Sequence, residues 1–170
     1  MARPRAQLDT AALARAFAAD GLHGTPIDGV AQASGVAKPT LYARFGDKEE
    51  LFALAVEAEV ERLIARVEAA PSLTAVAAAL DDHVNASPDG ARLLLVTARH
   101  TRSRVAARVE RSLRRIPAAL EAALGGDELL AAALFGGAHA ALAGGPSVVE
   151  LARVVSAPPE QAPPGGIWTA

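Results

Sequence analysis

The chain has no cysteine, which excludes disulfides, thiolate metal sites and cysteine nucleophiles. Aromatic residues are scarce: four Phe, one Tyr and one Trp in 170 residues. After Phe52 only Phe135 and Trp168 remain. Pockets for flat aromatic ligands usually carry aromatic walls, so the expected pocket is small and aliphatic, or absent. No uninterrupted apolar run reaches membrane-spanning length, and the start "MARPRAQLDT" lacks the apolar core of a secretion signal. The expectation is a cytoplasmic protein with no membrane contact. Net charge is also small, at −2, which argues against a uniformly basic protein. Its distribution is uneven. Residues 1–48 carry six basic side chains against four acids, and the remainder carries eleven against fifteen. A mildly basic head on an acidic body suits local contact with a polyanion.

No reactive constellation stands out. The four His are scattered and no pair has metal spacing. Asp81-Asp82-His83 reads as a solvated helix face rather than a metal site. No strand precedes a Gly-rich loop, so no phosphate loop of that kind is present. No catalytic residue, metal or cofactor is expected, and an enzyme is the weakest reading.

The apolar content is 51%, Ala and Leu dominate, and apolar residues recur at spacings of three and four. These features predict an all-α chain. A first helix starts at the Asp9/Thr10 cap and stops at Gly21, with Leu13 and Phe17 on one face. A second opens with Thr25 as cap, Pro26 at its first position and Asp28 three residues after the cap. Its inner stripe is Ile27, Val30, Ala31 and Ser34, and Gly35 ends it. After a three-residue turn a short helix starts near Lys38. Asp47, with Glu50 as partner, then caps a long fourth helix running toward Pro71. Further helices are predicted over 72–86, 89–101, 103–124, 127–143 and 147–156, with Pro117 kinking or ending the one that holds it. The expected domains are a head over 1–47, a helical body over 48–156 and a Pro/Gly-rich tail over 157–170.

Two short helices joined by a Gly-containing turn form a helix-turn-helix, whose second helix enters the DNA major groove. On that helix Leu41 and Phe45 point inward. The outer face centres on Pro39 and Ala43, with Lys38, Thr40, Tyr42 and Arg44 around it. Small groups let the helix approach the groove floor. Thr and Ala methyls suit thymine, while Tyr, Arg and Lys suit phosphate or a guanine edge. Lys48 lies in the first turn of the next helix, where free N–H groups already favour a phosphate.

Over residues 10–55 the chain resembles the DNA-binding head of the TetR family of bacterial transcriptional regulators. The matching residues are Phe17, Gly21, Thr25, Ile27, Val30-Ala31, Gly35-Val36, Thr40-Leu41-Tyr42, Phe45, Lys48-Glu49 and Leu51-Phe52. Two positions depart from the usual pattern. Ala37 stands where Ser commonly caps the reading helix, a loss of about 1 kcal/mol, and Pro39 stands where Gly is common. The resemblance implies a homodimer on a palindromic operator, usually a repressor, with recognition helices about 34–36 Å apart. It also implies a small-molecule effector in the body that releases the DNA, and it places Thr25 near a phosphate. An alternative keeps the same head without a small-molecule pocket, controlled by a protein partner or constitutive.

In the body, "DELLAAALFGGAHAALA" is apolar on nearly all sides, so it is buried all round. By analogy with the family's final helices, Leu130, Leu134, Gly137 and Ala141 are candidates for a dimer interface, the other reading being internal core. His83, Asn85, Thr97, His100 and Thr101 are candidate polar effector contacts, each of which could equally be a surface or satisfied core residue. Eight Arg and one acid lie between Arg92 and Arg115. Arg104, Arg108, Arg111 and Arg115 form a stripe that either pairs with the acids of "EAEVERLIARVE" or binds an anion. At the N-terminus, Arg3 and Arg5 form a basic arm that either touches DNA beside the reading helix or is only a tail.

Overall fold

The computed structural model describes residues 8–157. Arg3 and Arg5 of the arm, and Trp168 with nearly all of the tail, lie outside the described residues. Every regular element among the described residues is helical.

Asp9 caps α1 (Thr10–Ala18), its carboxylate accepting from Ala11 N and Ala12 N at 3.0 Å each. Leu13, Ala14 and Phe17 face the interior, and the Phe17 ring meets Phe52 edge-on at 5.2 Å. A single turn absent from the sequence reading, α2 (Gly21–Gly24), follows. Next come α3 (Ile27–Ser34) and α4 (Lys38–Phe45). Thr25 does not cap α3 as expected. Pro26 is extended and forms the cap position, with no side-chain bond. The Thr25 hydroxyl instead donates to Gly21 O at 2.7 Å and Ala16 O at 3.2 Å. A hydroxyl this deeply buried must find an acceptor, and the carbonyls of Ala16 near the end of α1 and of Gly21, which also accepts the Thr25 N–H, supply two.

Helix α5 (Lys48–Glu68) links head to body. At 21 residues it is roughly 31 Å long. Leu51, Phe52, Val56, Val60, Leu63 and Val67 are buried along it, where it packs against α1 and against later helices of the chain. Asp47 caps it through Glu49 N at 2.9 Å and Glu50 N at 3.1 Å. Glu50 does not close the expected box; its carboxylate accepts from Arg108 at 2.7 Å.

The body continues with α6 (Leu73–Ala86) and α7 (Pro88–Arg92). Where one helix was expected over 89–101, the chain passes into a wider π turn, Leu93–Thr97, and a 3₁₀ turn, Ala98–His100. The widening keeps Leu93, Leu94 and Leu95 all inside. The expected helix over 103–124 is likewise two, α8 (Ala106–Leu113) and α9 (Arg115–Ala123). Pro117 is the third residue of α9. Its ring would clash with the Leu113 carbonyl in a continuous helix, so α8 ends at Leu113.

Helix α10 (Glu128–Leu142) packs Ala131, Leu134, Gly137 and Ala138 inward against α6, α9 and α11 (Val148–Ser156). It is not buried all round, for Leu129 is 81% exposed. A Cβ at Gly137 would lie 2.6 Å from the Leu151 side chain, so glycine sets the α10–α11 approach. Asp81 does not belong to a solvated face. Its two carboxylate oxygens accept from Val148 N at 2.7 Å and Val149 N at 3.0 Å, capping α11 from α6. The free N–H groups of a helix start attract any carboxylate that tertiary packing brings near.

Candidate nucleic-acid interface and body clefts

The turn between α3 and α4 depends on Gly35, which closes α3 at φ +66°, a conformation L side chains rarely adopt. Val36 then enters the core. Ala37 caps α4 with its backbone only, accepting from Thr40 N at 2.8 Å and Leu41 N at 3.0 Å. Leu41 is fully buried and fixes the rotation of α4. Pro39, Thr40, Tyr42, Ala43 and Arg44 consequently face solvent, and Phe45 is half-buried. Tyr42 is 43% exposed. The Arg44 guanidinium lies 5.2 Å from the Phe45 ring centroid. Lys38 is anchored to Asp28 of α3 at 3.0 Å. The half-buried Lys48 donates one Nζ–H to Thr25 O at 2.9 Å, so Thr25 meets this corner through its carbonyl and not its committed hydroxyl.

The arginines of α8 reach this corner from the body. Arg104, just before α8, binds Asp47 and, at 2.9 Å, Glu49. Arg108 binds Glu50 at 2.7 Å and Glu57 at 2.6 Å. Arg115 of α9 pairs with Glu61. Arg104, Arg108 and Arg115 of the stripe therefore pair with α5 and its Asp47 cap, including acids upstream of those expected. The Glu50 N–H and the Arg104 guanidinium hold the Asp47 carboxyl below its usual range.

Two neighbouring clefts of about 380 and 370 Å³, one against α8 and the other against α10, share Arg99 and Pro117 in their walls. Thr101, Leu113 and Arg114 line the first; Glu121, Phe135 and His139 line the second. Arg99 lies 5.0 Å from the Phe135 centroid. His139 Nε2 is 2.7 Å from Leu95 O, which joins α10 to the π turn. Arg99, Phe135 and His139 were not among the expected effector contacts; their signals in the sequence were Arg99's place in the basic cluster and Phe135 as the one aromatic between Phe52 and Trp168. A third cleft, about 270 Å³, lies where α2 meets the 3₁₀ turn and includes Thr97, His100 and Thr101. Thr97 donates from there to Ala18 O at 2.6 Å. His83 and Asn85 line none of these three clefts. Asn85 is exposed on α6.

His83 is buried, and its Nε2 has no hydrogen-bond partner. Burial pushes its pKa below the ordinary 6.5; Glu59 opposes this, and Arg66 and Arg62 add to it. The folded state therefore favours the neutral ring relative to the unfolded chain, which takes up a proton as pH falls through 6.5. Stability contributed by the neutral ring is complete above that value and declines below it, by up to about 1.4 kcal/mol per pH unit. Urea melts between about pH 7.5 and 5.5 should show this slope in the wild type and its loss in His83→Gln. Equal slopes in both proteins would show that His83 does not carry it.

On α10 the outward stripe is Leu129, Ala132, Ala133 and Gly136, continued by Val154 and Val155 of α11. Leu134 and Gly137 lie within the chain's own core, and Leu130 and Ala141 are half-buried. Leu129, Leu130, Ala133 and Val155, with Leu73, line an apolar cleft of about 500 Å³.

Residues 10–55 match the family described as bacterial regulatory proteins, tetR family. Most of the chain is similar in fold to two solved structures. One is a TetR-like transcriptional regulator from Rhodococcus sp. RHA1, with 23% identity and a TM-score of 0.67 over 91% of this chain and 99% of that one. The other is the fatty acid degradation regulator FadR from Bacillus halodurans, with 17% identity and a TM-score of 0.66 over 86% of this chain and 92% of that one. No curated protein matches the sequence.

Proposed function

We propose that this chain, a TetR-family transcriptional regulator by its head and its fold, is a repressor that binds a palindromic operator as a homodimer and is released by a small-molecule effector. One observation carries the DNA-binding part: Leu41 is locked in the core, so α4 presents a face of Pro39 and Ala43 edged by Thr40, Tyr42 and Arg44. Such a face fits the major groove, with its small centre against base edges and its polar rim against phosphates. Lys38 and Lys48 lie at the two ends of this surface. Thr25 supports Lys48 by holding its ammonium.

Dimerisation rests on the outward stripe of α10 and α11. Large apolar side chains at this exposure mark a partner surface, and a two-fold pairing of one face with itself is the commonest solution. The effector reading is supported by the two clefts around Arg99 and Pro117, each of small-molecule size. Their walls are mainly Ala, Leu, Pro and charged groups around a single aromatic, so a small, largely aliphatic effector fits better than a large stacked one.

Selection of duplexes from a random-sequence pool tests this. The expected product is a palindrome bound by two chains, with half-sites about one helical turn apart. An asymmetric site bound by one chain would overturn the dimer, and no enrichment at all would overturn DNA reading. On the selected duplex, Lys48→Ala should weaken binding to all sequences alike and reduce the salt slope by about 1 per subunit. An unchanged slope would remove Lys48 from the phosphate contacts.

A further inference from the structure

The corner expected to meet phosphate has an electrostatic defect. Asp47, Glu49 and Glu50 flank Lys48 in sequence at the start of α5, and all four are only half-buried. Three carboxylates beside one ammonium repel a polyanion. Asp47 is committed as the helix cap, so the acids are not incidental to the fold. The compensating charge comes from outside the head. Arg104 and Arg108 bond to all three carboxylates, through Arg104 to Asp47 and Glu49 and through Arg108 to Glu50.

We propose that Arg104 and Arg108 are positioning residues for DNA binding: from the body they neutralise Asp47, Glu49 and Glu50 and so let Lys48 bind a phosphate. This rests on the reading of the head as a DNA binder and deepens it. DNA affinity becomes conditional on where the body holds α8. The helix has two working faces. Arg108 lies on the one toward α5, while Ala106, Glu110 and Leu113 line the first of the clefts around Arg99 and Pro117. Whatever displaces α8 from the cleft side withdraws the arginines and unmasks the acids.

The stability role of these pairs is modest, because each stays open to solvent on one side. That separates the proposal from a merely structural role. In Arg104→Ala/Arg108→Ala the helicity and melting temperature should stay near wild type. Affinity for the duplex selected by the wild-type protein should fall about fivefold near physiological ionic strength, and more at lower salt. Adding Glu49→Gln and Glu50→Gln to the same chain should restore most of that affinity, since it removes two of the three charges the arginines mask and leaves only the Asp47 cap. Undiminished affinity in the double variant overturns the proposal. So does a loss that the two Gln substitutions do not repair, which would make the arginines direct DNA contacts or structural ties. A wild-type protein that selects no duplex would instead fail at the DNA-binding reading, and this inference would fall with it.

Discussion

Arg62→Ala should destabilise the protein by about 2–4 kcal/mol in a urea melt, the largest stability effect expected from a single polar side chain here. The Glu59 side chain on α5 is 1% exposed. Arg62 holds it with two bonds, Nη2 to Oε1 at 2.5 Å and Nε to Oε2 at 3.2 Å. Its remaining nitrogen, Nη1, donates to the Thr10 hydroxyl of α1 at 2.9 Å, tying the head's first helix to the body. Glu59 has no room to turn toward solvent on the α7 side, where a Cβ on Gly90 would lie 2.6 Å from its carboxylate. Removing Arg62 leaves a buried carboxylate without its cation. A fully buried pair broken this way costs about 3–5 kcal/mol. Arg62 itself is 40% exposed, so water entering its place recovers part of that. Glu59→Gln should cost less, because it removes the charge that needs compensation. A loss in Arg62→Ala below about 1 kcal/mol, the range of an exposed pair, would show that Glu59 does not depend on it.

Tyr42→Ala should remove most operator binding while leaving stability within about 0.5 kcal/mol of wild type. Tyr42 is exposed and lies beside the residue that locks α4, so its loss does not disturb the core. Each well-placed base or phosphate contact is worth about 1–3 kcal/mol, and the proposed dimer makes it twice. The expected affinity loss is about a hundredfold on the selected duplex, measured by titration with the helical signal monitored in parallel. Retained affinity would mean that α4 meets DNA with a different face.

Much of the head was legible because local rules act there without competition. Asp9 and Asp47 each stand just before an apolar-periodic run, and each caps the helix that follows. Gly35 lies where a turn needs positive φ. The period of three and four placed Leu41 inside and Tyr42 outside. Thr25 was misassigned for the opposite reason. Its hydroxyl could cap forward or bond backward, and only burial against the end of α1 decides between them. The body was less legible. Asp81-Asp82-His83 looks like three polar residues on a surface, yet Asp81 caps a helix 67 residues away and His83 is in the core. Glu59 and Arg62 have the spacing of an ordinary surface pair, and nothing local says that one of them is fully enclosed. The π turn likewise reflects where three successive leucines must go.

The sequence by itself determined the helical class, the helix-turn-helix and the residues that α4 turns outward, because propensity, capping and periodicity are properties of neighbouring residues. Tertiary structure alone decided which charges are buried, which acids the α8 arginines meet and which stripe of α10 remains uncovered. Those outcomes depend on pairs separated by fifty residues or more, such as Arg104 with Asp47 and Arg62 with Thr10. No local rule acts over such a separation until packing has closed it.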